Sequence, residues 1–262
     1  MHPMFNIAIR VARQAGSFIR KHYELNNNDT NQLYIISNMI KKIEELIIDI
    51  IHHYYPTHNI LFEKKNSELM LKKSDIEWII TPIDGLTNFI KKIPHFAIVI
   101  SIRIKNRTEI AVIYDCMRNE LFISVRGQGT KLNGYRLRGS HPRDFNNMII
   151  ATDFFCPFNK KQTDDYIELF KKNFFQCAGI RCSGSIGLDL AYVAAGRIDG
   201  FFKISTNKYW NLAAGELLIR EAGGLLTDLN GSSDYSNYIN IVTGSSPHIL
   251  KILLSLLRKA VK

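Results

Sequence analysis

Trp78-Ile79-Ile80-Thr81-Pro82-Ile83-Asp84-Gly85-Leu86-Thr87-Asn88-Phe89 runs from an apolar stretch into a turn, and both the fold and the chemistry of the chain hinge on that passage. Trp78 to Ile80 read as a strand, because aromatic and β-branched residues suit a pleated, buried surface. Pro82 fixes the bend that follows, and Gly85 permits a tight backbone path. Asp84 lies between them, and an aspartate before glycine commonly caps a turn through its own side chain.

Around that segment, short apolar runs at Asn59 to Phe62, Phe96 to Ile104, Thr108 to Tyr114 and Glu120 to Val125 read as strands and hairpins. Ahead of them Met4, Ile7, Ala8, Val11, Ala15, Phe18 and Ile19 recur at helical spacing behind Pro3. Ile40, Ile43, Leu46, Ile47, Ile50 and Ile51 predict a second helix, which Pro56 ends. From Met148 the pattern alternates. Strands are expected at Met148 to Ala151, Asp199 to Ile204, near Leu225 and near Ile239; helices are expected near Thr163 to Lys172 and at Ser185 to Ala195, Asn211 to Ala222 and Pro247 to Arg258. The class is therefore α/β, with sheets covered by helices in layers. Without an internal repeat or a long linker, residues 1–262 read as a single domain. Its subdomains are roughly 1–145, a helix pair plus antiparallel sheet, and 146–262, α/β.

At 262 residues and 46% hydrophobic content the chain can bury a full core. No run of 18 apolar residues and no amino-terminal signal core stand out, so no membrane span is expected and the cytoplasm is the expected compartment. Cys116, Cys156, Cys177 and Cys182 form no C-x-x-C pair and read as reduced structural thiols. A net charge of +10 makes polyanions natural partners, although a genome rich in Lys, Asn and Ile codons explains such an excess equally well. The basic residues gather at Arg103, Lys105 and Arg107, and again from Arg126 through Lys131, Arg136 and Arg138 to Arg143. With only Tyr135 interleaved, any RNA contact there would be electrostatic rather than base-reading.

Residues 78–89 resemble the W-x-I-D-P-[IL]-D-G-T-T-N-F signature of the inositol monophosphatase family. The likeness continues in order along nearly the whole chain. Glu63 follows an apolar strand, Arg126-Gly127-Gln128-Gly129 precedes Leu132-Asn133-Gly134, Gly184-Ser185 precedes Leu188 to Arg197, and Trp210 to Glu216 stand at a W-D-x-A-A-G block. Met1-His2-Pro3-Met4 and Arg118-Asn119-Glu120-Leu121-Phe122 are similar to an enterobacterial branch of that family. The resemblance implies an α/β/α/β/α layered sandwich, a homodimer, and for that branch two roles. One is Mg²⁺-dependent hydrolysis of inositol 1-phosphate. The other is work beside Nus factors and RNA polymerase in ribosomal-RNA transcription antitermination, where contact with the RNA leader would be electrostatic.

Phosphate monoester hydrolysis needs cations on the phosphate oxygens and an activated water. The resemblance places the metal ligands and the substrate-binding residues Asp84, Gly85, Thr87, Gly184 and Ser185, and this chain departs from the pattern at several of its positions. Lys64 stands for a ligand glutamate, Thr81 for the first aspartate of the signature, Asn211 for the aspartate of W-D, and Ile40 for an aspartate of the second helix. Leu86 takes the place of the water-activating threonine, and Lys203 replaces a substrate-binding glutamate. Asp84 and the Ile83 carbonyl remain as matched ligands, with Glu63 a candidate if the strand register slips by one. The three carboxylates lost at Lys64, Thr81 and Asn211, and the ammonium added at Lys64, would largely cancel the field that holds a divalent cation. The expectation is a factor retained for its surface, with weak or absent Mg²⁺ binding. The alternatives are a surviving phosphatase, and a metal-free phosphate binder built on Lys64 and Lys203.

Overall fold

Apolar residues every third or fourth position make α1 (Pro3–Leu25) and α2 (Gln32–Tyr54) amphipathic, and their inner stripes, Val11 and Ile19 on one and Ile43 and Ile47 on the other, are fully buried. The computed structural model describes residues 3–25, 32–62, 74–140, 142, 144–153, 167–168, 170–171, 176–204, 212–233 and 240–260. The chain divides into two compact units.

The first unit comprises Met1–Arg136, Gly184–Leu188 and Trp210–Leu218. Beyond the helix pair it holds β1 (Asn59–Phe62), β2 (Ile76–Asp84), α3 (Leu86–Ile90), β3 (Ala97–Ile104), β4 (Arg107–Asp115), β5 (Glu120–Val125), β6 (Gly129–Leu132) and β7 (Tyr135–Arg136). These strands form one seven-stranded sheet in sequence order, antiparallel throughout except that β1 runs parallel to β2. α1 packs on β3 and β4, and α2 packs on β2. Met39, Trp78, Ile100 and Val112 belong to the core between them. Trp78 also anchors a polar contact, since its indole N–H donates to Nδ1 of His58 at 3.0 Å.

The second unit comprises Leu137–Ser183, Asp189–Tyr209 and Ile219–Lys262. Two helices, α4 (Ile186–Ala194) and α5 (Leu212–Glu221), begin in the first unit and end in this one. Its five strands are β8 (Ile149–Thr152), β9 (Gly179–Arg181), β10 (Gly200–Ile204), β11 (Leu225–Thr227) and β12 (Asn240–Gly244), in the order β11-β12-β10-β8-β9. The sheet is mixed: β10 lies parallel to β8 and antiparallel to β12. α6 (Pro247–Ala260) covers it with Ile249, Leu253 and Leu257 against Ile150 and Phe202. Both units are thus helices layered on sheets, the α/β class expected from the sequence. Only residues 167–168 and 170–171 of the helix expected near Thr163 to Lys172 are described.

Candidate functional site

β2 and β3 stay in register to Thr81 opposite Val99 and resume at Asp84 opposite Ala97, so one extra residue bulges out of β2. Pro82 sits in that bulge, where its missing N–H removes no ladder bond. The chain then turns through Gly85 at φ 87°, and a Cβ there would lie 3.0 Å from the His95 carbonyl oxygen, so glycine is required. Asn88 closes the loop by donating from Nδ2 to that same carbonyl at 2.8 Å.

The bulge aims Asp84 at the start of α4. The residue is 7% exposed, and its Oδ2 accepts from the Ser185 hydroxyl at 2.5 Å and from the Gly187 N–H at 2.8 Å. Ser185, 1% exposed, also accepts the Leu188 N–H at 3.4 Å and so caps the helix. A carboxylate is stabilised here because the N–H groups and dipole of a helix start favour negative charge. Gly187 leaves the room for it: a Cβ at that position would meet Val99 at 2.7 Å and Asp84 Oδ2 at 3.0 Å. The helix start at Gly184-Ser185, which the family resemblance makes substrate-binding, holds the chain's own carboxylate, 101 residues earlier in sequence.

The other expected positions fall around this staple or away from it. Thr81 is buried, and Ile83 lies in the core cluster. Leu86 and Ile40 pack against that same core as apolar groups. Thr87 is exposed. Gly184, at φ 80°, holds its backbone so close to Asn88 that a Cβ would lie 3.2 Å from it. Lys203 belongs to the second unit, where it is 3% exposed on β10 and its ammonium donates to Asp153 Oδ2. Its charge is thus matched within its own unit. Glu63, Lys64 and Asn211 lie outside the described residues, as do Cys156 and Arg143.

A divalent magnesium ion demands several oxygen ligands in near-octahedral order. Among the described residues no group of three or more His, Cys, Asp or Glu is placed to hold a metal ion. The donors among the described residues are one carboxylate whose Oδ2 accepts two hydrogen bonds, a buried threonine hydroxyl and a carbonyl, and these described donors by themselves do not fit the ion.

His95 follows the same local logic. Burial, and then the Arg118 guanidinium, push its imidazole below the ordinary value, while Asp115 opposes them. Arg118 itself is occupied with Asp115 Oδ2 at 2.8 Å and the Pro94 carbonyl at 3.0 Å. Burial likewise pushes the Cys116 thiol up to about 12, which makes it inert. Two partners went unforeseen in the sequence: Ser185 for Asp84, and Asp153 for Lys203. Ser185, just ahead of an apolar helical pattern, signals a cap, but no local signal names its distant carboxylate.

The inositol monophosphatase family pattern matches residues 1–262. The chain is 50% identical to Nus factor SuhB of Escherichia coli strain K12, covering 98% of this chain and 97% of that protein. It is 45% identical to Nus factor SuhB of Pasteurella multocida, covering 97% and 96%. Among solved structures, extragenic suppressor protein suhB of Bartonella henselae superposes with a TM-score of 0.86 at 32% identity, covering 98% of this chain and 100% of that one. An inositol monophosphatase from Anabaena superposes with a TM-score of 0.82 at 26% identity, over 98% of this chain and 95% of that one. On sequence and fold alike, the chain belongs to the inositol monophosphatase family.

Proposed function

We propose that the protein is a Nus-type factor of ribosomal-RNA transcription antitermination, carried on an inositol monophosphatase scaffold with little or no catalysis. The observation that carries this reading is the state of Asp84: its carboxylate is a ligand to the start of α4, with neutral Thr81 as the preceding signature residue. A phosphatase would need that carboxylate turned toward magnesium and a second one beside it. The likeness to proteins named Nus factor SuhB supplies the alternative occupation. RNA polymerase and other Nus factors are then its partners, a homodimer its working form, the RNA leader an electrostatic contact, and the cytoplasm its location. No helix of the described residues is long and apolar enough to cross a membrane, which accords with that.

The test is reconstitution. Purified protein added with Nus factors and RNA polymerase to a ribosomal leader template should raise read-through, while releasing no orthophosphate from inositol 1-phosphate at millimolar magnesium. Brisk magnesium-dependent turnover that disappears in an Asp84→Asn variant that remains folded would instead establish the phosphatase.

A further inference from the structure

We propose that the corner of the first unit's sheet formed by the β3–β4 turn, the β5–β6 turn and β7 binds the phosphate backbone of single-stranded RNA. The inference deepens the antitermination reading and rests on it for the choice of RNA, by giving the electrostatic contact a place.

The register joins the two basic clusters that lie apart in sequence. Ile102 pairs with Ile110, Ile110 with Val125, and Val125 with Gly129, so both turns fall at one end of the sheet. Arg126 ties them directly, donating from Nε to the Thr108 carbonyl at 2.9 Å. Three carboxylates among the described residues stand there. Glu109 lies 3.0 Å from Arg107 and 3.7 Å from Arg126, Glu77 stands opposite Arg103 in the ladder, and the exposed Asp75 adjoins Lys105, whose backbone N–H donates to the Asp75 carbonyl at 2.8 Å. Lys131 and Arg136 add positive charge beyond that balance.

Lys131 and Arg136 are direct cross-strand partners, and both are exposed. Like charges facing each other across a ladder destabilise it, so this pair works against the hairpin unless an anion lies over it. Arg136 also reaches back over Gly129. Its guanidinium atoms lie 3.2 to 3.4 Å from where a Cβ of Gly129 would stand, and Gly129, at φ 80°, has none. The fork thus lies along the β5–β6 turn, and a guanidinium fork suits phosphate oxygens.

The chemistry favours a nucleic acid over an acidic protein. Protein interfaces carry an apolar centre, whereas Tyr135, 81% exposed, is the one large apolar side chain exposed on these strands among the described residues. Tyr135 alternates with Arg136 along β7 and so faces the other side of the sheet from the Lys131–Arg136 pair, which leaves that pair without an apolar neighbour. From β3 to β7 the track spans four strand spacings, roughly 19 Å, enough for several nucleotides.

The experiment is fluorescence anisotropy with a labelled single-stranded RNA oligonucleotide, comparing wild type with Lys105→Glu/Lys131→Glu/Arg136→Glu. The triple variant should retain the wild-type melting curve, lose affinity by more than about tenfold, and flatten the slope of log affinity against log salt by about 2 for three lost phosphate contacts. Tyr135→Ala, which touches no charge and lies on the other face of the sheet, should leave both the affinity and the salt slope unchanged. Equal affinity in wild type and triple variant overturns the proposal, as does a wild type that does not bind. Displacement by polyglutamate as efficient as by unlabelled RNA overturns it too, in favour of an acidic protein. A wild type that raises read-through but binds no RNA sinks this inference and leaves the antitermination role standing. A wild type that binds RNA through these three residues but leaves read-through unchanged does the reverse.

Discussion

Asp84 in the first unit and Lys203 in the second are both charges withdrawn from water, and they are held in opposite ways. Asp84 rests on two neutral donors at a helix start, the Ser185 hydroxyl and the Gly187 N–H. Lys203 rests on a full counter-charge, Asp153, which is itself 18% exposed on its side chain. The difference teaches that a buried charge can be held by oriented neutral donors or by a counter-charge, and that each unit uses one of the two.

Asp84→Ala is the harshest test of the comparison. It strips two buried donors of their acceptor at once, and should cost about 4 kcal/mol in chemical denaturation. Lys203→Met should cost less, about 2 kcal/mol, because the Asp153 it leaves behind can draw on water. A larger loss for Lys203→Met than for Asp84→Ala would invert the comparison.

Acid sharpens it more gently. In the first unit, burial and then His52 push His58 below its ordinary value, and burial and then Arg118 do the same to His95. The His58 Nδ1 must also stay unprotonated to accept the Trp78 indole N–H. The unfolded chain therefore binds protons that the folded chain refuses, once pH falls below about 6.5. Stability contributed by these groups is complete above that pH, and declines as pH falls through it toward their depressed folded values. Thermal melts between neutral and mildly acidic pH should show this decline, and His58→Phe should make it shallower. A melting temperature that rises on acidification would contradict the assignment.

Much of the fold was legible because periodicity is local. The stripe of Met4 to Ile19 foretold α1, and the apolar run of Asn59 to Phe62 is β1 residue for residue. α3 was not legible, since a helix of 5 residues after Asp84-Gly85 shows barely one turn of pattern. Nor was β9, a strand of 3 residues at a sheet edge, nor β7, whose two residues are both exposed and so leave no alternation to read. The site divides along the same line. Asp84 could be singled out, because a carboxylate before glycine after a buried strand is a local signal. Its bond to Ser185 and that of Lys203 to Asp153 span 101 and 50 residues, distances over which only the folded chain brings groups together.

The central claim, that Asp84 is a structural staple and not a metal ligand, is tested most directly by melting the wild-type protein across a magnesium titration. A ligand that binds only the folded state must raise the melting temperature as its concentration passes its dissociation constant. The account predicts curves that superpose from zero to millimolar magnesium, in wild type and Asp84→Asn alike. A rise that grows with magnesium in wild type and vanishes in Asp84→Asn would contradict it.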